Sequence, residues 1–215
     1  MRRINVSLDS LVPAKFSAVT RGGDLDQVLN GIEIAKANGL GIRINMVALK
    51  GVNDDEIAPM AKYCATNGFD LALIETMPLG DGVSGRTGQF IPLDDFVRPL
   101  LENATLTPID HRTAGPARYY QLEPLHLRLG LITPMTHNFC GDCNRLRLAS
   151  DGKVHMCLGS EFHVDFRDAI RSGGMEAVDR LLQKALRLKP ERHDFERQME
   201  DKDLRLHRHM NATGG

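Results

Sequence analysis

The sequence predicts an α/β fold in which parallel strands alternate with helices. Three short aliphatic runs, at Ile4–Leu8, Ile42–Leu49 and Phe69–Thr76, have the composition of strands. Amphipathic helical stripes separate these runs, and strands that alternate with helices at this spacing are typical of βαβ units. A chain of 215 residues is long enough for one domain, or for one domain with an appendage.

Polar residues and glycines mark the ends of the two intervening helices. Asp24 is a suitable N-cap for the first helix, whose apolar stripe stops before Gly39. Asn53 or Asp54 is a suitable N-cap for the second helix, which we expect to end near Asn67–Gly68. The pattern therefore predicts three strands joined by two crossover helices.

The chain after the third strand contains shorter elements. Four glycines within Pro78–Gln89 predict a long loop, and Pro92–Leu101 has a helical pattern with proline in its first turn. The turn Ser150–Gly152 lies between Arg145–Ala149 and Val154–Leu158 and predicts a hairpin. The remaining predicted elements are strands at Thr105–Ile109, Ala117–Gln121 and His126–Thr133, helices at Val164–Ser172 and Met175–Leu188, and a charged tail at Lys189–Gly215 that is extended or frayed.

Charge and hydropathy argue against several classes of protein. The net charge is −1, and we expect the basic run Lys184–Arg192 to be a solvated helix face, so no nucleic-acid partner is expected. No segment approaches the roughly 20 apolar residues that span a bilayer, and the first residues do not resemble a signal peptide. We therefore expect a cytoplasmic protein without a membrane partner. Its four cysteines favour metal or redox chemistry over disulfides, although Cys64, in an apolar helical run, is expected in the core.

Three residues follow the carboxyl ends of the predicted parallel strands. Ser7 ends the first strand, Lys50 follows the second, and Met77 follows the third. Functional groups of parallel α/β sheets gather at this edge, so we expect these residues to share one rim. Each residue also fits a plain structural role, as a turn cap, a surface lysine or a core methionine.

Three cysteines in one polar segment are the strongest chemical signal in the sequence. Cys140, Cys143 and Cys157 form the spacing C-x2-C-x13-C, and the predicted hairpin returns the third cysteine to the first two. Three thiolates leave one coordination position open on a zinc ion or on a 4Fe–4S cluster. Candidate fourth ligands for a structural zinc are His137, His155 and His163. Structural zinc, an iron–sulfur cluster and no metal all remain open at this point.

Arg145 and Arg147 follow the second cysteine directly. They are one residue apart on a predicted strand, so their side chains are expected to point the same way. Guanidinium groups match the geometry of phosphate and carboxylate, and two of them beside a metal site suggest an anionic small molecule. The alternative is a solvent-facing strand whose Leu146 and Leu148 pack inward.

Together these motifs resemble one known family. Gly130–Leu158, which contains the cysteines and both arginines, is similar to the C-terminal cluster motif of the GTP 3′,8-cyclases, the radical S-adenosylmethionine enzymes of molybdenum cofactor biosynthesis. Arg3–Asp9, Asn45–Asp54 and Ile74–Pro78 match further motifs of this family, and Gly214–Gly215 matches its terminal pair. The resemblance extends over essentially the whole chain.

The resemblance implies a fold and a division of the chain. Members of this family form an incomplete TIM-type barrel with a C-terminal extension that closes its mouth. By this resemblance, residues 1–101 form the remainder of the partial barrel. Residues 102–215 form a β-rich extension that binds a cluster and GTP and ends in the Gly-Gly tail.

The resemblance also implies roles for particular residues. It makes Cys140, Cys143 and Cys157 ligands of a C-terminal 4Fe–4S cluster whose open iron meets the guanine of GTP. It assigns no catalytic side chain. The other implied positions are Lys50, Arg145, Leu146 and Arg147 for GTP, Ser7 and Met77 for S-adenosylmethionine, and Gly214 and Gly215 for a tail that reaches into the active site.

The implied reaction converts GTP to (8S)-3′,8-cyclo-7,8-dihydroguanosine 5′-triphosphate. In the family, a 5′-deoxyadenosyl radical made from S-adenosylmethionine takes the 3′ hydrogen of GTP, and the sugar radical adds to C8 of guanine. The implied partners are GTP, S-adenosylmethionine, a second copy of the chain, and the downstream cyclic pyranopterin monophosphate synthase.

The sequence departs from the family pattern in two places. The N-terminal cluster motif of the family, C-x3-C-x2-C, is not present upstream of Cys64, so we expect the chain alone to be unable to generate the radical. Ala72 stands where many relatives have arginine, so one substrate-facing cation is expected to be missing. Two alternatives remain, namely a non-catalytic structural zinc domain and the auxiliary-cluster domain of another radical enzyme.

Overall fold

The computed structural model describes residues 2–79, 87–113 and 115–200 of the chain. The chain forms two compact units, of which the first consists of Met1–Thr76 and Gly88–His137. The second consists of Met77–Thr87 and Asn138–Gly215. Three strands beyond residue 101 join the sheet of the first unit, and the predicted functional division after residue 101 stays a prediction.

The first unit is a layered α/β structure. Its sheet has the strand order β1-β2-β3-β6-β5-β4. The strands β1, β2, β3 and β6 are parallel, and β5 is antiparallel to both of its neighbours, β6 and β4. The predicted α/β class is confirmed, although the sheet is mixed. In chain order the elements are β1 (Arg3–Ser7), α1 (Pro13–Thr20), α2 (Leu25–Ala37), β2 (Gly41–Ala48), α3 (Ile57–Asn67), β3 (Asp70–Glu75), α4 (Leu93–Leu101), β4 (Thr105–Pro108), β5 (Arg118–Glu123) and β6 (Leu127–Ile132).

One face of the central strands carries the hydrophobic core. Alternate residues of β2 and β3 are apolar and buried, as expected for strands covered by helices, and they pack in one cluster with residues of all four helices. Cys64 on α3 belongs to this cluster and has no exposed surface, which confirms its predicted core position. Burial raises the pKa of its thiol to about 12.

The helix ends match the sequence prediction at one position and differ at another. Asp24 caps α2, since its carboxylate accepts a hydrogen bond from the backbone N–H of Gln27 at 3.1 Å. The predicted cap at Asn53 or Asp54 is wrong, because α3 begins at Ile57 with Glu56 at its N-cap. The side-chain amide of Asn53 instead accepts from the backbone N–H of Leu49 at 2.9 Å, so it organises the turn after β2.

Glu75 at the end of β3 is a buried carboxylate without exposed surface. It accepts hydrogen bonds from the backbone N–H groups of Met135 at 2.9 Å and Thr136 at 3.1 Å, and from the Thr136 hydroxyl at 2.6 Å. These donors offset the cost of removing the charge from water. Glu75 therefore fixes the turn that follows β6.

The second unit contains a small antiparallel sheet and one long helix. Its elements are β7 (Arg147–Leu148), β8 (Lys153–His155), β9 (His163–Asp165), a π-helical turn (Ala169–Gly173), α5 (Gly174–Arg187) and α6 (Phe195–Glu200). Ala185 of α5 is fully buried in a second core, which also contains apolar residues of β8 and β9.

Two predictions for this unit are wrong. The predicted helix Val164–Ser172 starts as strand β9, because Val164 pairs with Val154 of β8 and its side chain enters the second core. The described part of the tail is not extended or frayed throughout, since Phe195–Glu200 forms helix α6 and the side chain of Phe195 is 2% exposed. Among the helices of the described residues, none has both the length and the apolar character of a membrane span.

We predict that Glu75→Gln destabilises the first unit by about 1–3 kcal/mol, because one carboxylate oxygen becomes an amide that faces backbone donors. Denaturant unfolding followed by circular dichroism measures the change. Glu102→Gln, at the exposed end of α4, is the matched control and is expected to change stability by less than about 0.5 kcal/mol. Equal effects of the two substitutions would contradict a special role for Glu75.

Candidate functional site

The first two cysteines lie on one tight turn of the second unit. Cys140–Asp142 forms a 3₁₀ turn, and the backbone N–H of Cys143 donates to the carbonyl of Cys140 at 3.1 Å. A C-x2-C spacing in such a turn allows both sulfurs to approach the same centre. All three cysteines of the segment are half-buried and none forms a disulfide.

The predicted hairpin returns the chain to this turn. β7 and β8 pair with Arg147 opposite His155, and Gly152 adopts φ +79° in the connecting turn, a conformation that favours glycine. Cys157 follows β8 by two residues. Burial raises the pKa of its thiol, the nearby Cys140 and Cys143 raise it further, and Lys189 lowers it. The structure therefore brings the three cysteines into one neighbourhood.

Lys189 is a site residue that sequence reasoning missed. Its ammonium donates to the carbonyl of Met156 at 2.8 Å, the carbonyl of Arg145 at 3.0 Å and the sulfur of Cys143 at 3.7 Å. The sequence placed this lysine in a charged tail, and no local pattern distinguishes it from the other basic residues of that region. Only the packing of the segment that follows α5 against the hairpin identifies Lys189 as a site residue.

A cavity of about 560 Å³ opens beside Cys140 and Cys143. This volume lies within the range of roughly 300–1,000 Å³ that is usual for small-molecule sites. Its wall combines thiol groups with two cations and one carboxylate, so its charged side chains are net positive. The lining residues are Asn138, Cys140, Gly141, Cys143, Leu186, Lys189, Pro190, Glu191 and Arg192.

Three thiols suit either a cubane cluster with one open iron or a zinc ion with a fourth ligand. Within the described ranges, no three His, Cys, Asp or Glu side chains are grouped to hold one metal ion. A structural zinc needs four donors around one atom, whereas each cysteine of a cubane cluster binds its own iron. Of the candidate histidines, His137 belongs to the first unit, and the ring of His155 faces that of His163 at 5.3 Å.

Two of the three predicted rim residues lie in the first unit. Ser7 ends β1 and Lys50 follows β2, and these strands are parallel, so both exposed residues lie at the same edge of the sheet. The backbone N–H of Lys50 donates to the carbonyl of Gln89 at 2.8 Å. Met77 belongs to the second unit and is half-buried.

The strand argument for the two arginines is wrong, because β7 begins at Arg147 and Arg145 precedes it. Both arginines are half-buried, and Leu146 between them packs against the second core. Their predicted contact with an anion stays a prediction. Gly214 and Gly215 lie outside the described residues.

The sheet face opposite the core is polar and was not predicted. Arg43 of β2 is 7% exposed and donates to the hydroxyl of Tyr119 at 2.7 Å. Asn45, two residues later on the same face, pairs with Ser7 on one side and with Ala72 on the other. Among the described residues, the Nε of Arg43 and the Oδ1 of Asn45 are buried without a hydrogen-bond partner. Ala72 itself is fully buried.

The chain is similar to proteins of molybdenum cofactor synthesis. Residues 69–195 match the Molybdenum Cofactor Synthesis C family, and residues 1–64 match the Radical SAM superfamily. Similar proteins include a GTP 3′,8-cyclase of Rhizobium etli (strain CIAT 652), 45% identical, and one of Rhizobium meliloti (strain 1021), 46% identical. Another is a GTP 3′,8-cyclase of Brucella canis (strain ATCC 23365 / NCTC 10854 / RM-666), also 46% identical. All of this chain is covered in each comparison, but the chain spans only 62–63% of the length of these relatives.

We predict that Cys157 and Cys64 are alkylated more slowly in the metal-free folded chain than in the unfolded chain between about pH 7 and about pH 10. The thiolate is the reacting form, and a raised pKa reduces the thiolate fraction at any given pH. Cys157 should react more slowly in the folded chain than in urea, and Cys64, with a pKa of about 12, should be protected more strongly. Peptide-resolved mass spectrometry measures both rates, and equal folded and unfolded rates would contradict the burial of these thiols.

Proposed function

This chain belongs to the Molybdenum Cofactor Synthesis C family, and we propose that it carries the cluster- and GTP-binding part of a GTP 3′,8-cyclase. The proposed reaction forms the 3′,8 bond within GTP by means of a radical derived from S-adenosylmethionine. Support comes from the name shared by its relatives and from the two family matches that together cover most of the chain.

The observation that carries this proposal is the proximity of three cysteines, two of which line an open cavity. We assign Cys140, Cys143 and Cys157 to a 4Fe–4S cluster, since burial, charge and hairpin geometry put them within electrostatic reach of one another. When bound, such a cluster supplies an iron with a free coordination position that accepts a purine donor atom. The cavity of about 560 Å³ gives a nucleotide access to that position.

Cationic side chains are the proposed contacts of the GTP triphosphate. Arg145 and Arg147 flank Leu146 in the segment that leads from the cysteine turn into β7. Arginine binds phosphate oxygens through two parallel hydrogen bonds, and Leu146 anchors the segment in the second core so that the guanidinium groups keep their place. Lys50, at the exposed end of β2 in the first unit, is the further proposed phosphate contact.

The polar sheet face supports a second binding role. Ser7 pairs with Asn45 across β1 and β2, so their side chains share one face of the sheet. The buried acceptor of Asn45 has no hydrogen-bond partner among the described residues, and a hydroxyl-bearing ligand offers the missing donor. We propose Ser7 and Met77 as contacts of S-adenosylmethionine, which is what the family resemblance implies. Gly214 and Gly215 keep their proposed role as a tail that enters the active site.

We predict that anaerobic reconstitution loads the chain with iron and acid-labile sulfide. Cys140→Ser, Cys143→Ser and Cys157→Ser should each lose most of both, because each removes one cluster ligand. Cys64→Ala is the matched control and should retain the cluster, since that thiol lies in the core of the first unit. Stoichiometric zinc without sulfide would contradict the proposal and favour a structural zinc domain.

We predict that Arg145→Ala and Arg147→Ala each weaken GTP binding to the reconstituted chain by about 10- to 100-fold. A hydrogen bond to a charged group contributes about 1.5–3 kcal/mol, and 1.4 kcal/mol corresponds to tenfold in affinity. Calorimetric titration with GTP measures the change. Arg171→Ala, an exposed arginine of the π-helical turn, is the control. Unchanged affinity in both site variants, with the cluster in place, would point to the auxiliary domain of a different radical enzyme.

A further inference from the structure

Lys189 occupies a defined place at the end of the long helix of the second unit. α5 ends at Arg187, and the backbone N–H of Lys189 donates to the carbonyl of Leu186 at 3.3 Å. Its side chain turns back toward the hairpin and is half-buried. The side chain of a lysine at an exposed helix end normally extends into water, so the orientation of Lys189 toward the hairpin needs an explanation.

The explanation lies in the number and identity of its acceptors. An ammonium group has three protons, and Lys189 has three acceptors, namely the carbonyls of Arg145 and Met156 and the sulfur of Cys143. Arg145 precedes β7, Met156 follows β8, and Cys143 belongs to the cysteine turn. A single side chain therefore joins both sides of the hairpin base to the turn that carries two of the cysteines.

The segment after Lys189 is packed against the loop that follows Cys157. The side-chain amide of Gln198 donates to the carbonyl of Gly159 at 3.0 Å. A Cβ atom on Gly159 would lie 2.7 Å from the Cβ of His193 and 2.8 Å from the ring of Phe195, so only glycine permits this approach. Residues 189–198 are thus attached at both ends, which limits the directions in which the lysine can approach the sulfurs.

We propose that Lys189 is a positioning residue that also provides the counter-charge of the cysteine-bound cluster. The inference rests on the proposed function, because it assumes that the three cysteines hold a 4Fe–4S cluster. The reduced cluster carries one more negative charge than the oxidised cluster, so a fixed cation beside a ligand sulfur stabilises the reduced form. The two carbonyl contacts of Lys189 hold Arg145 and Met156 at a fixed separation around the cysteine turn.

Three substitutions separate the charge of Lys189 from its hydrogen bonds. Lys189→Arg keeps the charge, Lys189→Gln keeps donors without the charge, and Lys189→Met removes both. Lys184→Met, on the exposed surface of α5, changes the net charge by the same amount and is the matched control. The reduction potential of the reconstituted full chain is measured by redox titration with electron paramagnetic resonance, and iron retention is measured under a chelator.

We expect Lys189→Met and Lys189→Gln to lower the equilibrium constant for one-electron reduction by about tenfold, which corresponds to a potential about 59 mV more negative. Lys189→Arg and Lys184→Met should stay near the wild type. Iron loss to the chelator should be fastest in Lys189→Met, which lacks both the charge and the donors.

Two outcomes would overturn the inference, and a third concerns the proposed function instead. If the potentials of Lys189→Met and Lys189→Gln equal that of the wild type while their clusters are intact, Lys189 is not the counter-charge. If Lys184→Met shifts the potential equally, the effect comes from net charge and not from this contact. If the wild-type chain takes up no iron and sulfide, the proposed function fails before Lys189 is tested.

Discussion

Three thiols close together impose an electrostatic requirement on the second unit. Each must lose its proton to bind a metal, and the pKa of Cys157 is raised both by burial and by its two neighbours. A positive group within reach is therefore needed, and Lys189 supplies it. The ammonium of Lys189, in the segment that follows α5, contacts both the hairpin and the cysteine turn. The local fold and the proposed chemistry therefore depend on the same contacts.

In the first unit, several buried polar side chains are stabilised by hydrogen bonds. Its buried polar groups Glu75 and Asn53 bind backbone groups of loops that follow strands of the sheet. Arg43 is held by Tyr119 on the polar face. Because unpaired buried polar groups are costly, these contacts restrict the loops to one conformation. A sheet with ordered loops at the carboxyl ends of its parallel strands offers a suitable place for Ser7, which we propose contacts S-adenosylmethionine.

The sequence predictions were most accurate where the interactions involved join residues that are close together in the chain. The three strands of the first half, the cap at Asp24, the hairpin turn at Gly152 and the core position of Cys64 depend on local patterns, and the structure contains all of them. The helix predicted from Val164 was wrong, because a short apolar run fits either period and its pairing with β8 decided the outcome. The cap predicted at Asn53 was wrong because its amide is used inside the preceding turn.

The sequence by itself determined the alternation of strands and helices, the cysteine spacing and the family resemblance, since all three are written in the order of neighbouring residues. The tertiary structure alone decided that Lys189 meets Cys143, that Glu75 holds the turn at Thr136, and that Arg43 binds Tyr119. The partners in these contacts are between 46 and 76 positions apart in the chain. Contacts at such separation depend on how the elements pack, and no short sequence pattern encodes that packing.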